Sequence, residues 1–319
     1  MDVFNNCYLY PQICGLNYNL TNIDCAKAGL WNVLKIRIQP GQEVDSRFIG
    51  SCIENGNLSF IEWLTEKNIS GFTSDAMNFA AQCGQFEIVK WLSENRKEGC
   101  SVEAMDNAAG YGHLEIVKWL HKNRKEGCTK NALYWAARMG RLDVVKWLAE
   151  NGKGKTAKAM QWAAEWGHLK VVKWLSENSP GYTTLTFDLA AHGGHLDIVK
   201  WLSENGKGGS TVAMLWAAIN GNLEMVKWLS ENRTEGCTAW AMDGAARCGH
   251  LAIVKWLHEN RTEGCTTDAM DWASENGHLE IVEWLSENRT EGCTPNAIIL
   301  ATNNNHLDIV KYLSERTEQ

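Results

Sequence analysis

The chain has 319 residues, of which 45% are hydrophobic and 22% are charged, a composition typical of a folded globular protein and not of a disordered or fibrous chain. Its formal net charge of −7 disfavours nucleic-acid binding, because phosphate contacts need a basic surface. No uncharged apolar run reaches the roughly 18 residues of a membrane span, and the first residues lack the basic and apolar pattern of an export signal, so we expect a cytoplasmic protein.

Eleven cysteines occur, mostly at positions that recur along the chain rather than in a compact framework. Equivalent positions on adjacent packed helices lie about 8–10 Å apart, beyond the reach of a disulfide. We therefore expect reduced thiols, as in a reducing cytoplasm.

One glycine position divides most of the chain into about eleven repeats, spaced by 27 or 28 residues. Its members are Gly29, Gly56, Gly84, Gly112, Gly140, Gly167, Gly194, Gly221, Gly249, Gly277 and then Asn305. Glycine, and less often asparagine, adopts the left-handed conformation that ends a helix. Each position therefore predicts a joint between two helices.

The first repeat follows an irregular N-terminal segment, residues 1–20. It begins at Thr21, with Asp24 completing a capping box, and the second repeat begins at Asp45. From the third repeat onward a hydroxyl residue stands eleven positions before the joint: Thr73, Ser101, Thr129, Thr156, Thr183, Ser210, Thr238, Thr266 and Thr294. Serine and threonine are favoured N-cap residues, so each predicts the start of a first helix.

Each first helix has an apolar residue four positions after its cap and then small residues such as Ala108-Ala109. The second helix has apolar residues at helical spacing, as in residues 113–120. A tryptophan closes it in nine consecutive repeats, Trp63 to Trp284, and Tyr312 in the last. We expect this column to be buried between repeats and the first and last repeats to cap a domain of residues 21–316, which a short tail, 317–319, follows.

The recurring Gly-Cys-Thr, Ala-Ala and Gly-His-Leu-Glu-Ile-Val-Lys segments resemble the ankyrin repeat over residues 21–316. The period is shorter than the usual 33 residues, and Thr-x-x-Ala-Met replaces Thr-Pro-Leu-His. The link between repeats, as in residues 123–128, is too short for the β-hairpin finger of that family. The resemblance implies an all-α, right-handed ankyrin-like solenoid of about eleven helix-turn-helix repeats.

No segment predicts catalysis or a cofactor. Residues 149–156 approach a phosphate-binding loop but lack its first glycine and a preceding strand. Six histidines share one repeat position, which favours a structural capping role over a metal site, because metal ligands of mixed origin must converge on one ion. The tryptophan column favours packing over base stacking or sugar binding.

A partner is expected to bind an exposed stripe on the first helices. The positions two before, one after and five after the apolar residue lie within roughly 60° of each other on a helix. Towards the ends of the stripe these positions are polar and largely acidic: Asp75, Asn78, Gln82, Glu103, Asp106, Gly110, Asp268, Asp271 and Glu275.

Apolar residues interrupt this stripe at Leu185, Val212, Leu215, Ile219 and Trp240. A second, weaker cluster comprises Tyr111, Tyr134, Arg138, Met139 and Trp166. Apolar surface that spans several repeats indicates an interaction site, although these side chains could also tuck between repeats. In ankyrin proteins, which the chain resembles, this stripe lines the concave binding groove.

These features predict a non-catalytic scaffold or adaptor whose protein partner presents an apolar anchor with basic flanks. Two alternatives remain: a self-associating structural protein, and the regulatory subunit of an enzyme complex.

Overall fold

The computed structural model describes residues 20–179 and 181–317, so most of the predicted N-terminal segment and of the predicted tail lie outside the described residues. The described residues form 22 helices and no strand, and the one bridge among them pairs Glu43 with Ser70. The expected all-α class is confirmed.

The chain divides into two compact units, residues 1–155 and 156–319. The helices of the first unit are α1 (Asn22–Lys27), α2 (Trp31–Arg37), α3 (Ser46–Glu54), α4 (Leu58–Glu66), α5 (Ser74–Gln82), α6 (Phe86–Asn95), α7 (Glu103–Tyr111), α8 (Leu114–Asn123), α9 (Asn131–Arg138) and α10 (Leu142–Glu150). Those of the second unit are α11 (Thr156–Glu165), α12 (Leu169–Asn178), α13 (Thr184–His192), α14 (Leu196–Glu204), α15 (Thr211–Ile219), α16 (Leu223–Asn232), α17 (Trp240–Arg247), α18 (Leu251–Asn260), α19 (Thr267–Glu275), α20 (Leu279–Asn288), α21 (Asn296–Asn303) and α22 (Leu307–Thr317).

Each unit is a stack of helix pairs, one pair per repeat. Within a unit the first helices of successive repeats pack extensively against each other, whereas the second helices contact their neighbours over a narrower strip. Small residues allow the close approach, since Ala80, Ala81, Ala108 and Ala109 are completely buried between first helices. Each unit is thus an ankyrin-like stack, as the repeat pattern predicts.

The predicted joints and most of the predicted caps are confirmed. All ten joint glycines have positive φ, and Asn305 has φ 63°. The side chains of Thr73, Ser210 and Thr266 each accept a hydrogen bond from the backbone N–H two residues later, while Thr21 and Asp24 form the capping box. No side-chain hydrogen bond caps the helices that follow Thr183 and Thr238. Thr156, another predicted cap, is instead the first residue of its helix.

The repeated histidines join neighbouring repeats and do not cap their own helices, which corrects the expected role. His278 donates from Nε2 to the carbonyl oxygen of Arg247 in the preceding repeat at 3.1 Å. Its ring also covers the preceding joint, because a Cβ added to Gly249 would lie 2.8 Å from its Cε1. Equivalent bonds to the previous repeat are made by His113, His195 and His250.

The tryptophans from Trp63 to Trp284 are half-buried and not fully buried, in contrast to the expectation. Trp147, for example, meets the ring of His121 edge to face at a centroid distance of 5.1 Å, while the adjacent Leu148 is completely buried. The column therefore covers the outer edge of the core, and the leucines beside it fill the interior.

Each regular link between repeats contains an ion pair that the sequence patterns did not predict. In one of them Arg261 donates to Glu263, and this bond lowers the pKa of the Glu263 carboxyl to about 2. Burial raises the pKa of the nearby Cys237 and Cys265 thiols to about 11. The nine cysteines among the described residues are all free thiols.

Candidate partner-binding surface

The apolar residues predicted to bind a partner lie on three consecutive first helices of the second unit. Leu185 lies on α13, Val212, Leu215 and Ile219 lie on α15, and Trp240 lies on α17, and α15 packs against both other helices. Leu185 is 41% exposed and Trp240 is 62% exposed. The three residues of α15 are half-buried. We call these five residues the apolar surface.

Gly244 on α17 explains why the side chains of Leu215 and Ile219 on α15 are only half exposed. A Cβ added to Gly244 would lie 2.7 Å from Cγ1 of Ile219 and 3.4 Å from Cδ1 of Leu215. The two side chains therefore lean into the space that the glycine leaves. Part of the apolar surface packs between repeats, while Leu185 and Trp240 at its two ends remain open.

The position one after the apolar residue is buried and bonded to the next repeat in five repeats, which corrects the expectation that this position is exposed. Asn78, Asp106 and Asp271 are 4%, 3% and 4% exposed, and Gly110 is also buried. The Asp106 carboxylate accepts hydrogen bonds from N–H and Oγ1–H of Thr129, at 2.9 and 2.6 Å. The same pairing joins Asp188 to Ser210, Asp243 to Thr266 and Asp271 to Thr294.

Burial raises the pKa of the carboxyl groups of Asp106, Asp188 and Asp243, although the bonds from the next cap residue oppose that shift. Each of these carboxylates holds the start of the next repeat. Because a buried carboxylate needs hydrogen-bond donors, the pairing fixes the register of neighbouring repeats.

Leu215 stands at this carboxylate position, between Asp188 in the preceding repeat and Asp243 in the following one. No described side chain accepts a hydrogen bond from the N–H of the next cap residue, Thr238. An apolar side chain therefore replaces an interaction that joins the neighbouring repeats. Leu215 leans towards Gly244 instead and stays half-buried, so part of its apolar side chain remains open to a partner.

The charges that flank the apolar surface differ on its two sides. Leu185, Val212 and Trp240 each stand two residues before the apolar residue of their repeat. In the repeats on either side, this position carries Lys158 on α11 and Asp268 on α19, and both are exposed. The acidic residues expected at the two ends of the stripe are exposed where they stand two before the apolar residue: Asp75 and Glu103 in the first unit and Asp268 in the second. Within the second unit, the α19 side of the apolar surface is therefore acidic and the α11 side is basic.

Aromatic residues at a further position of the first helices enlarge the surface. Trp216 and Trp272 are half-buried, and they meet His192 at 5.1 Å and Arg247 at 5.4 Å. Their position, two after the apolar residue, is only about 40° from the position two before it, at about 100° per residue. That angular rule, applied to one more position, was the signal that could have identified them.

The second predicted cluster is divided between the two units. In the first unit Tyr111 and Met139 are 50% and 47% exposed, while Tyr134 and Arg138 are half-buried. The hydroxyl of Tyr111 accepts a hydrogen bond from Gln82 Nε2 at 3.3 Å, and Trp135, which the stripe positions omit, is 39% exposed. Trp166 is 47% exposed and belongs to the second unit.

Within residues 20–179 and 181–317, no group of three or more His, Cys, Asp or Glu side chains could hold a metal ion. Over the same residues, no helix combines the length and the apolar character that crossing a membrane requires.

Tandem helix pairs that pack on their neighbours, with exposed side chains on the first helices, define a helical repeat protein of the solenoid class. The family described as ankyrin repeats (3 copies) matches residues 105–186, 187–271 and 242–319, which together are more than half of the chain. The chain belongs to the ankyrin repeat family, whose members are generally protein-interaction modules.

Among solved structures, the crystal structure of the human ASB11 ankyrin repeat domain is 20% identical in sequence. The match covers 54% of this chain and 92% of that chain, with a TM-score of 0.43. No curated protein matches the chain.

Proposed function

We propose that this protein is a non-catalytic scaffold or adaptor that binds a protein partner through the apolar surface of its second unit. The observation that carries the proposal is Leu215, which occupies a position where the adjacent repeats have a buried, paired aspartate. Exposed Leu185 and Trp240 extend the surface on both sides, and large aromatic side chains are frequent binding hot spots.

The proposed partner presents an apolar anchor beside a basic residue, and it acts in the cytoplasm. The anchor would cover Leu215 and Trp240, and the basic residue would face Asp268, which is exposed next to Trp240 on the neighbouring helix. Burial of the apolar anchor would provide most of the affinity, and the opposite charges would speed the encounter.

The double variant Leu215→Asp, Trp240→Ala tests the proposal. It removes the largest exposed side chain and replaces the central leucine by the residue that the neighbouring repeats carry, so the fold should persist. We expect at least a roughly 30-fold loss of affinity for a purified partner first captured from lysate, as for paired hot-spot residues. Lys200→Glu, on the exposed face of α14, is the matched control and should bind normally.

Circular dichroism must remain native for both variants. Equal binding by the double variant and the parent would exclude the apolar surface and direct attention to Tyr111, Tyr134, Arg138 and Met139. Light scattering over a range of concentrations tests the alternative of self-association. If the parent forms an oligomer and the double variant is a monomer, self-association replaces the scaffold proposal.

A further inference from the structure

A cleft of about 410 Å³ opens on the first helices of the first unit, between α3 and α5. Its lining includes Lys27, Arg47, Gly50, Thr73, Asp75 and Phe79. The volume falls in the range of small-ligand sites, and the walls combine an aromatic ring with a few polar groups, as such sites usually do. It is far along the chain from the apolar surface and independent of it.

The cleft occupies the place where later repeats carry their connecting side chain. Gly50 stands one position after the apolar residue of the second repeat, the position of Asn78, Asp106 and Asp243 in later repeats. In those repeats an oxygen of the side chain accepts a hydrogen bond from the N–H of the next cap residue, at 2.8–3.0 Å.

Gly50 offers no such oxygen, and no described residue accepts a hydrogen bond from the N–H of the corresponding cap residue, Thr73. The first turn of α5 therefore faces the cleft with a donor that five later repeats pair with a carboxylate or an amide. A helix N-terminus adds a favourable field for a negative charge at that point.

Charges of both signs surround the cleft. Lys27 and Arg47 contribute positive charge, Glu54 and Asp75 contribute negative charge, and Arg47 also pairs with Asp45 at 2.5 Å.

Another repeat of this chain shows that a carboxylate can bind the N–H of a cap residue beside a neighbouring acid. Asp268 stands two residues after the cap Thr266, as Asp75 stands two residues after Thr73, and the Asp243 carboxylate still binds Thr266 N–H at 2.8 Å. A carboxylate is thus held at an equivalent site beside an equivalent acid.

We propose that this cleft binds a carboxylate attached to an apolar group, the chemistry shared by a small aromatic acid and by the C-terminal residue of a polypeptide. The carboxylate takes the place of the missing side chain and accepts from the N–H of Thr73. The apolar group lies against Phe79, whose ring is 3.7 Å from a Cβ added to Gly50.

The test uses the full chain and follows its backbone amides by NMR. The probes are N-acetyl-phenylalanine, which resembles a polypeptide C-terminus, 3-phenylpropionate, a small acid, and N-acetyl-phenylalaninamide, which keeps the shape without the charge. We expect both acids to shift the Thr73 amide in a saturable manner, and the tighter acid identifies the source. The amide should bind about tenfold more weakly or worse, because a hydrogen bond to a charged group is lost.

Two substitutions at one position complete the experiment. Gly50→Asp places a carboxylate of the chain itself in the cleft, as at Asp106, and should abolish binding of both acids while the protein remains folded. Gly50→Ala adds only the Cβ, for which there is room, and should preserve binding. The proposal is overturned if neither acid shifts the Thr73 amide, if the amide probe binds equally well, or if Gly50→Asp binds like the parent.

Discussion

At the scale of single residues, the buried aspartates show how one side chain joins two repeats. Asp243 is 1% exposed, and its carboxylate accepts hydrogen bonds from both N–H and Oγ1–H of Thr266, at 2.8 and 2.9 Å. Asn78 forms a related pair with Ser101 in the first unit, donating through Nδ2 and accepting through its oxygen. An amide is therefore a natural substitute for the carboxylate.

Asp243→Ala should lower the free energy of unfolding by about 1–3 kcal/mol, since it removes two hydrogen bonds from Thr266 to a buried carboxylate. Asp243→Asn should cost much less. Urea unfolding of the two variants and the parent measures the difference. Equal losses for alanine and asparagine would contradict the hydrogen-bonding role.

The same position predicts a pH dependence. Burial raises the pKa of Asp243 in the folded state, so the associated stability is complete below the ordinary aspartate pKa and is lost as pH rises through the raised value. Asp243→Asn has no such loss. Its stability relative to the parent should therefore increase from about pH 4 upward, as followed by urea unfolding at several pH values, and a difference that stays constant would count against it.

Trp147 tests the half-buried tryptophan column. Truncation of a fully buried tryptophan costs about 3–5 kcal/mol, and with only part of the indole buried we expect roughly 2 kcal/mol for Trp147→Ala. Trp147→Phe should recover part of this loss through the edge-to-face contact with His121. Chemical unfolding measures the stability of both variants. A loss below about 1 kcal/mol in the free energy of unfolding of Trp147→Ala would show that the indole contributes little to packing between repeats.

At the scale of helices, packing decides whether a glycine helps or harms. Gly50 in α3 and Gly244 in α17 both lie inside helices, where alanine is intrinsically better by roughly 0.5–1 kcal/mol. A Cβ at Gly50 meets Phe79 at 3.7 Å, an ordinary contact, whereas a Cβ at Gly244 meets Ile219 at 2.7 Å.

Gly50→Ala should therefore stabilise the protein by about 0.5–1 kcal/mol, and Gly244→Ala should not, because Ile219 must move. The double change Gly244→Ala, Ile219→Ala should restore the gain from helix propensity relative to Ile219→Ala alone. Thermal unfolding of the four variants distinguishes these outcomes. If Gly50→Ala and Gly244→Ala stabilised the protein equally, Ile219 would have to move away from the new Cβ on α17 at no cost in free energy.

The helices, joints and caps could be predicted from sequence because they follow from local rules: the left-handed glycine, the hydroxyl cap and the spacing of apolar residues. The stripe was harder. Asp106 and Glu103 look alike as polar residues of one first helix, and only the position of Thr129 in the next repeat decides that Asp106 is buried. The spacing within one helix carries no information about its neighbour, so pairings between repeats remained hidden.

At the scale of the whole molecule, the eleventh repeat leaves more apolar side chains exposed than we expect of a repeat that caps the domain. Ile298 is half-buried, whereas Met214 and Met270 at the same repeat position are buried, and Ile299 and Leu307 are 54% and 63% exposed. Its helices nevertheless bury Ile309 and Leu313, so the repeat still covers the one before it.

Removal of residues 296–319 should expose Ile281 and Trp284 on α20 and cause aggregation, because α22 packs against that helix. Light scattering of the truncated and intact chains measures this effect. Leu307→Lys is the control, since it reduces the exposed apolar area without removing the helix and should scatter no more than the parent. A monodisperse truncation with unchanged stability would contradict a covering role.

The histidines that lie over five of the joints also affect which repeats can follow one another. Asn305 adopts the left-handed conformation that its joint requires, with φ 63°. At the joint before it, however, a Cβ added to Gly277 would lie 2.6 Å from Cε1 of His306 in the following repeat. A repeat with asparagine at its joint would therefore displace the ring of a histidine that begins the second helix of the next repeat. A designed twelfth repeat of the His-Leu type, grafted after α22, should therefore be combined with Asn305→Gly, which leaves the space that the histidine ring occupies at the other joints.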